Sequence, residues 1–247
     1  MRKYLIAVWL LSFCALSQAA EPRVVTLYVY HLKPPFIVDL PSERGLYYDF
    51  ADFLNGKGDA YHFRTLYQPR NRIEHELEQG ELDGVLLGVS PAWFRDKDEE
   101  KYLWTPPMYQ DQDEIVSRAA TAFDYQGPES LVGKSLGGVL GFTYFGIDQM
   151  VAQGKVARRN TVGEREVLQM VLKGRVDVGI VSRSTLDYLA TFEGLGDTLY
   201  RSPQPHDRYA RRVLVPRHDR ALFDFLSLVL RGLDEDGDWQ AILARYR

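Results

Sequence analysis

The sequence predicts an α/β protein of two lobes, in which each lobe is a central mixed sheet flanked by helices and two hinge crossings join the lobes. Short apolar runs between turn residues alternate with amphipathic helical segments, which is typical of strands covered on both faces. A unit of helix, Gly, Asp, apolar strand and Ser also occurs twice, as LEQGELDGVLLGVS (77–90) and LKGRVDVGIVS (172–182). The chain is therefore expected to build the same kind of sheet in two places.

The first half of the chain predicts a β-strand, two helices and a second strand in that order. The apolar and aromatic run at 24–30 indicates a buried strand, and 47–54 has apolar residues at helical spacing before Asn55-Gly56. The segment 72–79 predicts a second helix with Gly80 as its C-cap, and the apolar run at 82–90 predicts a parallel strand.

The second half repeats this order. We expect a turn and strand within 131–140, helices over 143–153 and 167–174, and a strand over 176–182. Asp83 and Asp177 occupy equivalent places in the repeated unit, and each is expected to bond nearby turn amides.

The C-terminal region predicts the return of the chain to the first lobe. The segment 211–216 predicts a strand, and 221–246 is helical in pattern with a break at Asp236-Gly237. A chain that leaves one lobe, builds a second and returns crosses twice, and we expect the crossings near 110–113 and 203–208. The predicted lobes are 21–111 with 205–247, and 112–204.

Residues 1–20 predict a cleaved secretory signal peptide. Arg2 and Lys3 precede a mostly apolar run, and small residues allow cleavage near Ala19-Ala20. The apolar run is shorter than the roughly 20 residues of a membrane span. Cys14 follows Phe13 rather than a small residue, which argues against a lipid attachment site. After cleavage no cysteine remains for a disulfide or a thiolate metal site.

Composition excludes some classes of function. The formal net charge is −4, and no basic run predicts a nucleic-acid partner. The histidines at 31, 62, 75, 206 and 218 have no metal-ligand spacing, so neither a metal nor a cofactor is expected.

Five segments in order carry a resemblance to a known family: 45–54, 77–90, the arginine at 95, 133–144 and 172–182. Together they resemble the periplasmic solute-binding proteins of family 3, the amino-acid-type proteins of ABC importers. The resemblance covers nearly the whole chain after residue 20 and implies the type II periplasmic binding protein fold. It also implies a periplasmic, monomeric protein that closes on a small ligand, with an ABC permease or a sensor receptor of the inner membrane as its partner.

The resemblance implies a binding site at the carboxyl ends of the strands. Arg95 would fork onto a ligand carboxylate, since a guanidinium offers paired donors. Ser90, with Gly88 on the same strand, would help hold the carboxylate or an amine. Thr143 would begin a helix and offer its hydroxyl and neighbouring amides to an anion, with Tyr144 beside it. The alternatives are a solvated Arg95 neutralised by the acidic residues after it, and ordinary turn or helix caps at Ser90 and Thr143.

Three positions depart from the amino-acid binders. Ser182 stands where they have an aspartate that pairs with the ligand's ammonium. Lys33 and Arg70 stand where they have aromatic residues. Two basic side chains are gained and one carboxylate is lost, so we expect the cleft to favour an anion, such as a carboxylate or an acidic amino acid, over a neutral zwitterion. The alternative is that the basic side chains point to solvent and that Ser182, backbone carbonyls or one of Glu43, Asp49 and Asp111 meets an ammonium group.

Two other functions remain open. A sensory or accessory module would use the same closing cleft. A cleft dehydratase or lyase on this scaffold would need a placed general acid or base. Only His31 is a candidate among the histidines, with a simple loop position as the alternative, and no G-x-S-x-G nucleophile motif occurs, so no enzyme activity and no catalytic residue are expected.

Overall fold

The computed structural model describes residues 21–195 and 198–247, and its strands join into one mixed sheet of ten strands. The strands are β1 (Arg23–Val29), β2 (Tyr61–Tyr67), β3 (Val85–Val89), β4 (Leu103–Trp104), β5 (Tyr109–Arg118), β6 (Ser135–Val139), β7 (Ala157–Thr161), β8 (Val178–Ser182), β9 (Leu199–Arg201) and β10 (Asp207–Val215). The α-helices are α1 (Leu46–Asn55), α2 (Arg70–Gln79), α3 (Ile147–Ala152), α4 (Glu164–Leu172), α5 (Arg183–Glu193), α6 (Arg220–Arg231) and α7 (Gly237–Ala244).

The sheet has two similar halves. Its order is β2-β1-β3-β10-β5-β8-β6-β7, with β4 added on β10 and β9 on β5. In the first half β1 is parallel to β2 and β3, and in the second β6 is parallel to β7 and β8. The strands β10 and β5 are antiparallel to the strands beside them. Mixed sheets of this kind confirm the predicted fold class.

The apolar core divides into separate clusters that follow the two halves of the sheet. Strands β1–β4 with α1, α2, α6 and α7 form lobe 1, where Trp239 of α7 packs edge-on against Phe50 of α1 with ring centroids 5.2 Å apart. Strands β6–β9 with α3, α4 and α5 form lobe 2, and their buried residues make two further clusters. Since burial of apolar surface is the main favourable term in folding, each lobe has its own source of stability.

The two long strands β5 and β10 pass from one lobe to the other. They pair with each other from Asp113 opposite Asp207 to Tyr109 opposite Arg211. Beyond that stretch β10 continues alongside β3 in lobe 1, and β5 continues alongside β8 in lobe 2. The chain therefore crosses between the lobes twice, while the residue at which each lobe begins stays a prediction.

Several predicted elements lie where the periodicity placed them. Gly80 ends α2 with a left-handed φ of 71°, and the break in the C-terminal helical region lies at Asp236, whose side chain accepts hydrogen bonds from the amides of Asp238 and Trp239 at the start of α7. Asp177 bonds differently from its prediction: it accepts from the amide and hydroxyl of Ser135 at 2.7 Å, on a strand 42 positions earlier, rather than from its own turn.

The prediction of a helix over 143–153 is wrong at its beginning. The helix α3 begins at Ile147, and Thr143 lies in an irregular loop before it. Gly146 precedes the helix with a φ of 77°, a left-handed conformation that interrupts α-helical geometry.

No helix in residues 21–195 or 198–247 is long and apolar enough to cross a membrane. The predicted signal peptide at 1–20 lies outside the described residues.

Candidate functional site

A cavity of about 530 Å³ lies between the lobes. Residues that follow β1, β3 and β6 line it, so it lies at the carboxyl ends of strands from both lobes. Ligands of open α/β sheets bind outside the carboxyl ends of the strands, where loops diverge. The cavity also has the size of an ordinary small-molecule pocket.

Basic side chains outnumber acidic ones in the cavity wall. The basic residues are Lys33, Arg70, Arg95, Lys101 and Arg211, and the acidic residues are Glu74, Glu78 and Asp113.

The lobe 1 wall is aromatic beside β1. The rings of Tyr30 and His31 lie 4.0 Å apart, and His31 contacts Trp93 edge-on at 5.7 Å. His31 is 5% exposed, and burial holds the pKa of its imidazole well below the ordinary value, so the ring is neutral at neutral pH. The Tyr30 hydroxyl and His31 Nδ1 are buried without a hydrogen-bond partner in the described part of the chain. A ligand can satisfy such groups.

Arg70 begins α2 and lines the cavity. Its Nε donates to Glu74 Oε1 at 2.8 Å, and its Nη2 donates to the Trp93 carbonyl at 2.9 Å. The guanidinium also lies 5.4 Å from the ring centroids of Tyr30 and Phe94. Arg70 is therefore oriented by several contacts rather than extended into solvent.

Arg95 lines the same cavity from the loop after β3. It is an exposed residue with a left-handed φ of 52°. Two of the acidic residues that follow it bond elsewhere: Asp96 accepts from Trp104 Nε1 at 2.8 Å, and Glu99 pairs with Arg212. These two carboxylates are thus held away from the role of neutralising Arg95.

Lobe 2 contributes Phe142, Thr143, Tyr144 and Phe145 to the cavity wall. Thr143 is exposed in the loop before α3. Tyr144 is 2% exposed, and its hydroxyl accepts a hydrogen bond from the Val139 amide at 3.0 Å. The ring of Tyr144 thus supports the cavity wall while its hydroxyl closes the end of β6.

The crossing strands contribute Asp113 and Tyr209 to the cavity. The Tyr209 hydroxyl donates to Asp113 Oδ1 at 2.8 Å. Burial, together with the negative charge of Glu164, raises the pKa of Asp113 to about 7. This carboxyl is a proton-exchanging group at neutral pH in the wall of the cavity.

Lys33 is the one lysine among the predicted site residues, and its ammonium is buried. It is 7% exposed, and its Nζ lies 2.5 Å from Glu164 Oε1 and 3.0 Å from Ser182 Oγ. Lys33 belongs to lobe 1, whereas Glu164 and Ser182 belong to lobe 2. The lysine is therefore an ion-pair contact between the lobes as well as part of the cavity wall.

Three other predicted site residues are not in the cavity wall. Ser182 is fully buried, and its hydroxyl contacts Lys33 and Glu164. Ser90 lines a neighbouring cavity of about 380 Å³. Gly88 has a φ of 73°, and its carbonyl accepts a hydrogen bond from Arg211 Nη1 at 3.1 Å.

The three carboxylates that the sequence offered as alternative partners for a ligand's ammonium do not line the cavity. Asp111 pairs with Arg211 at 2.9 Å, Asp49 accepts from the Tyr246 hydroxyl at 2.5 Å, and Glu43 is exposed in a turn.

Sequence reasoning did not place Tyr30, Trp93, Asp113, Tyr209 and Arg211 in the site. The sequence indicates His31 only as a simple loop residue or an acid–base candidate. For Arg211 a signal exists, because a charged residue inside an apolar strand needs a partner.

In the described part of the chain no group of three or more His, Cys, Asp or Glu is arranged to hold a metal ion.

No protein-family model matches the sequence, and no curated protein matches it. Solved structures do match its fold. An ancestral arginine-binding protein bound to arginine is 17% identical with a TM-score of 0.70, over 92% of this chain and 99% of that one. An ancestral amino acid-binding protein, a precursor of cyclohexadienyl dehydratase, is 16% identical with a TM-score of 0.69, over 90% and 95%.

A histidine kinase sensor domain with similarity to periplasmic binding proteins is 18% identical with a TM-score of 0.69, over 92% of this chain and 96% of that one. At these identities the likeness is one of fold. The chain has the two-lobed α/β fold of periplasmic binding proteins.

Proposed function

We propose that the protein is a periplasmic solute-binding protein that closes its lobes on a small carboxylate-bearing ligand, an amino acid or a related organic anion. The observation that carries this proposal is the cavity of about 530 Å³ between the lobes, at the carboxyl ends of their strands, with the exposed basic side chains of Arg95 and Lys101 in its wall. A carboxylate is the common biological group that such a wall attracts and orients.

Arg95 is the residue that we propose to bind the carboxylate of the ligand. Its guanidinium presents paired donors that match two carboxylate oxygens. Arg70 lies on the same lobe and is already held by Glu74 and the Trp93 carbonyl, so it supplies positive charge from a fixed position. Thr143 offers a hydroxyl from the opposite lobe.

The aromatic wall would hold the body of the ligand. Tyr30, Trp93 and Phe142 supply apolar faces. The Tyr30 hydroxyl and His31 Nδ1, which have no hydrogen-bond partner among the described residues, offer polar contacts. Small-molecule sites combine a mostly apolar wall with a few placed polar groups in this way.

In this proposal the crossing strands β5 and β10 act as the hinge on which the two lobes close. A ligand that meets Arg95 on lobe 1 gains Thr143 and Tyr144 only when lobe 2 is near. Contacts that exist in one state alone shift the population toward that state. Delivery of the ligand to an ABC importer, after export through the predicted signal peptide, is the role we propose for this cycle, with the protein acting as a monomer.

A second candidate is a sensory module for a membrane receptor. Its support is the matching fold of the histidine kinase sensor domain. Either role would use the same closing cleft. Co-purification with permease and ATPase subunits favours transport, and co-purification with a kinase or cyclase favours sensing.

A third candidate is a cleft dehydratase or lyase, favoured by one observation. Asp113 lines the cavity with a pKa of about 7, a value suited to a general acid or base. Turnover of a bound solute that Asp113→Asn abolishes, while leaving affinity intact, would establish this function in place of simple binding.

A thermal-shift screen tests the proposed function. A ligand that binds only the native state raises the unfolding midpoint, so small amino acids and organic anions are added singly to the purified protein. We expect at least one carboxylate to raise the midpoint and to bind in titration calorimetry. A shift by sugars, cations or polyamines, with none by any carboxylate, would contradict the proposal.

A further inference from the structure

Lobe 2 holds a buried carboxylate, Glu164, that contacts the cavity-wall residue Lys33. Glu164 is 4% exposed, and its Oε2 accepts from the Ser182 amide at 3.1 Å and from the Ser182 hydroxyl at 2.8 Å. Its Oε1 lies 2.5 Å from Lys33 Nζ. The two carboxylate oxygens therefore both have partners, and the one cation among those partners is an ammonium from the protein itself.

The ammonium of Lys33 reaches this carboxylate from the other lobe. Lys33 and Glu164 are 131 positions apart. The residue after the lysine is held across the same junction, since the Thr185 hydroxyl donates to the Pro34 carbonyl at 2.6 Å. The lysine is thus placed by backbone as well as side-chain contacts, and displacing it would leave buried charges without partners.

We propose that Lys33 is a built-in cation that occupies the position a ligand's ammonium would take beside Glu164, so that the ligand is a carboxylate without an ammonium group. This inference rests on the proposed function and names its ligand class. An entering ammonium would have to displace Lys33 from Glu164, which leaves a buried charge without its partner and is costly. The wall carboxylates Glu74 and Glu78 are less suited to hold it, because Glu74 is paired with Arg70 and Glu78 is exposed to solvent.

Asp113 is a further carboxylate near this junction, because its strand partner in β5–β8 is Ser182. One of its oxygens accepts the Tyr209 hydroxyl. Burial and the nearby Glu164 favour its protonated form, while Lys33 opposes that effect. A carboxyl that carries a proton below about pH 7 does not offer a full negative charge to an ammonium.

Matched pairs of ligands test the inference. Titration calorimetry compares succinate with aspartate and glutarate with glutamate on the wild-type protein. We expect each amino-free member to bind at least about tenfold more tightly, which corresponds to about 1.4 kcal/mol. Tighter or equal binding of aspartate or glutamate overturns the inference and leaves the proposed function standing. Binding of no carboxylate in this panel or in the thermal-shift screen overturns the proposed function itself.

Substitution of the lysine identifies the cause of the preference. Lys33→Met frees Glu164 and Ser182 for a ligand's ammonium, so the ratio of the two affinities should move toward the amino acid by about tenfold. Lys101→Met is the matched control, because it removes an equal charge from an exposed residue of the same cavity wall. It should weaken both members of a pair alike. A ratio that changes equally in the two variants overturns the inference.

Folding of the Lys33 variants is checked by circular dichroism and thermal melting. Lys33→Gln is the second variant, since it keeps a hydrogen-bond donor toward Ser182 while removing the charge. Where neither variant folds, the ratio of wild-type affinities for the amino-free and amino-bearing ligands alone decides whether the inference stands.

Discussion

The guanidinium of Arg211 lies 2.9 Å from the carboxylate of Asp111, and each side chain is 1% exposed. The pair connects the crossing strands β10 and β5. Asp111 also accepts from the amide and hydroxyl of Ser184 in lobe 2, and Arg211 donates to the Gly88 carbonyl in lobe 1. One buried ion pair thus joins the hinge to both lobes.

Removal of Arg211 should therefore destabilise the protein strongly. Arg211→Met leaves Asp111 buried without its charge partner, and breaking a buried pair in this way costs about 3–5 kcal/mol. Urea unfolding followed by circular dichroism measures the loss. Arg220→Met is the control, because Arg220 and Asp224 form an ion pair on the surface with side chains 67% and 60% exposed, and such pairs contribute less than about 1 kcal/mol. Equal losses in the two variants would show that the Arg211 pair does not stabilise the fold.

Arg95→Ala should weaken ligand binding. If the guanidinium meets a desolvated carboxylate, its loss costs about 2–5 kcal/mol of binding free energy. Titration calorimetry with a solute that raises the unfolding midpoint measures this. Arg231→Ala, at the exposed end of α6, should leave the affinity unchanged. Unchanged affinity in Arg95→Ala would remove Arg95 from the site.

Asp113 should make stability depend on pH in a defined direction. Its pKa is raised from 3.8 to about 7, so the folded state binds the proton more tightly than the unfolded state does. The resulting stabilisation is fully present below the unfolded pKa and is lost as pH rises through the folded pKa. Relative to Asp113→Asn, the wild type should become less stable as pH rises from about 4 to about 7.

The comparison with Asp113→Asn isolates this effect from His31. Burial lowers the pKa of His31, so this residue makes the protein less stable as pH falls. His31 is present in both proteins, so its effect cancels in the comparison. Glu164, Lys33, Asp111 and Tyr209 also act on Asp113 and are likewise unchanged. Thermal melts of both proteins across this pH range supply the measurement. A constant difference in stability would contradict the raised pKa.

Gly88→Ala should destabilise more than Gly80→Ala. The two glycines have similar left-handed φ values of 73° and 71°, so both substitutions carry similar backbone strain. A Cβ on Gly88 would lie 1.7 Å from the Tyr47 hydroxyl, whereas one on Gly80 meets nothing within 4 Å. Overpacking should add about 1–3 kcal/mol to the Gly88 variant. Equal midpoints in urea unfolding would show that Tyr47 moves aside without cost.

Much of the fold could be predicted because its signals are local. Apolar runs bounded by turn residues predicted β1, β3 and β8, and the Gly80 cap predicted the end of α2. Strands with mixed patterns were missed: β2 reads YHFRTLY and β7 reads ARRNT. In β7 tertiary pairing with β6 overrides a polar sequence.

The site could be predicted only in part. Arg95, Arg70, Lys33, Thr143 and Tyr144 do line one cavity, because each lies near the end of a recognisable strand or the start of a helix. The functions of these side chains remain predictions. The sequence predicted that the Lys33 side chain faces the ligand or solvent, but its ammonium contacts Glu164. No local sequence pattern shows that a lysine at 33 contacts a glutamate at 164.

The sequence by itself determined the two-lobed α/β architecture, since helical and strand periodicity, caps and turns act over a few residues at a time. Only the tertiary structure decided the partners of the charged groups. Lys33 with Glu164, and Arg211 with Asp111, are 131 and 100 positions apart, and each pair forms because strand crossings and lobe contacts bring distant segments together. Burial then makes these pairings strongly preferred, since a charge removed from water is stable only beside its partner.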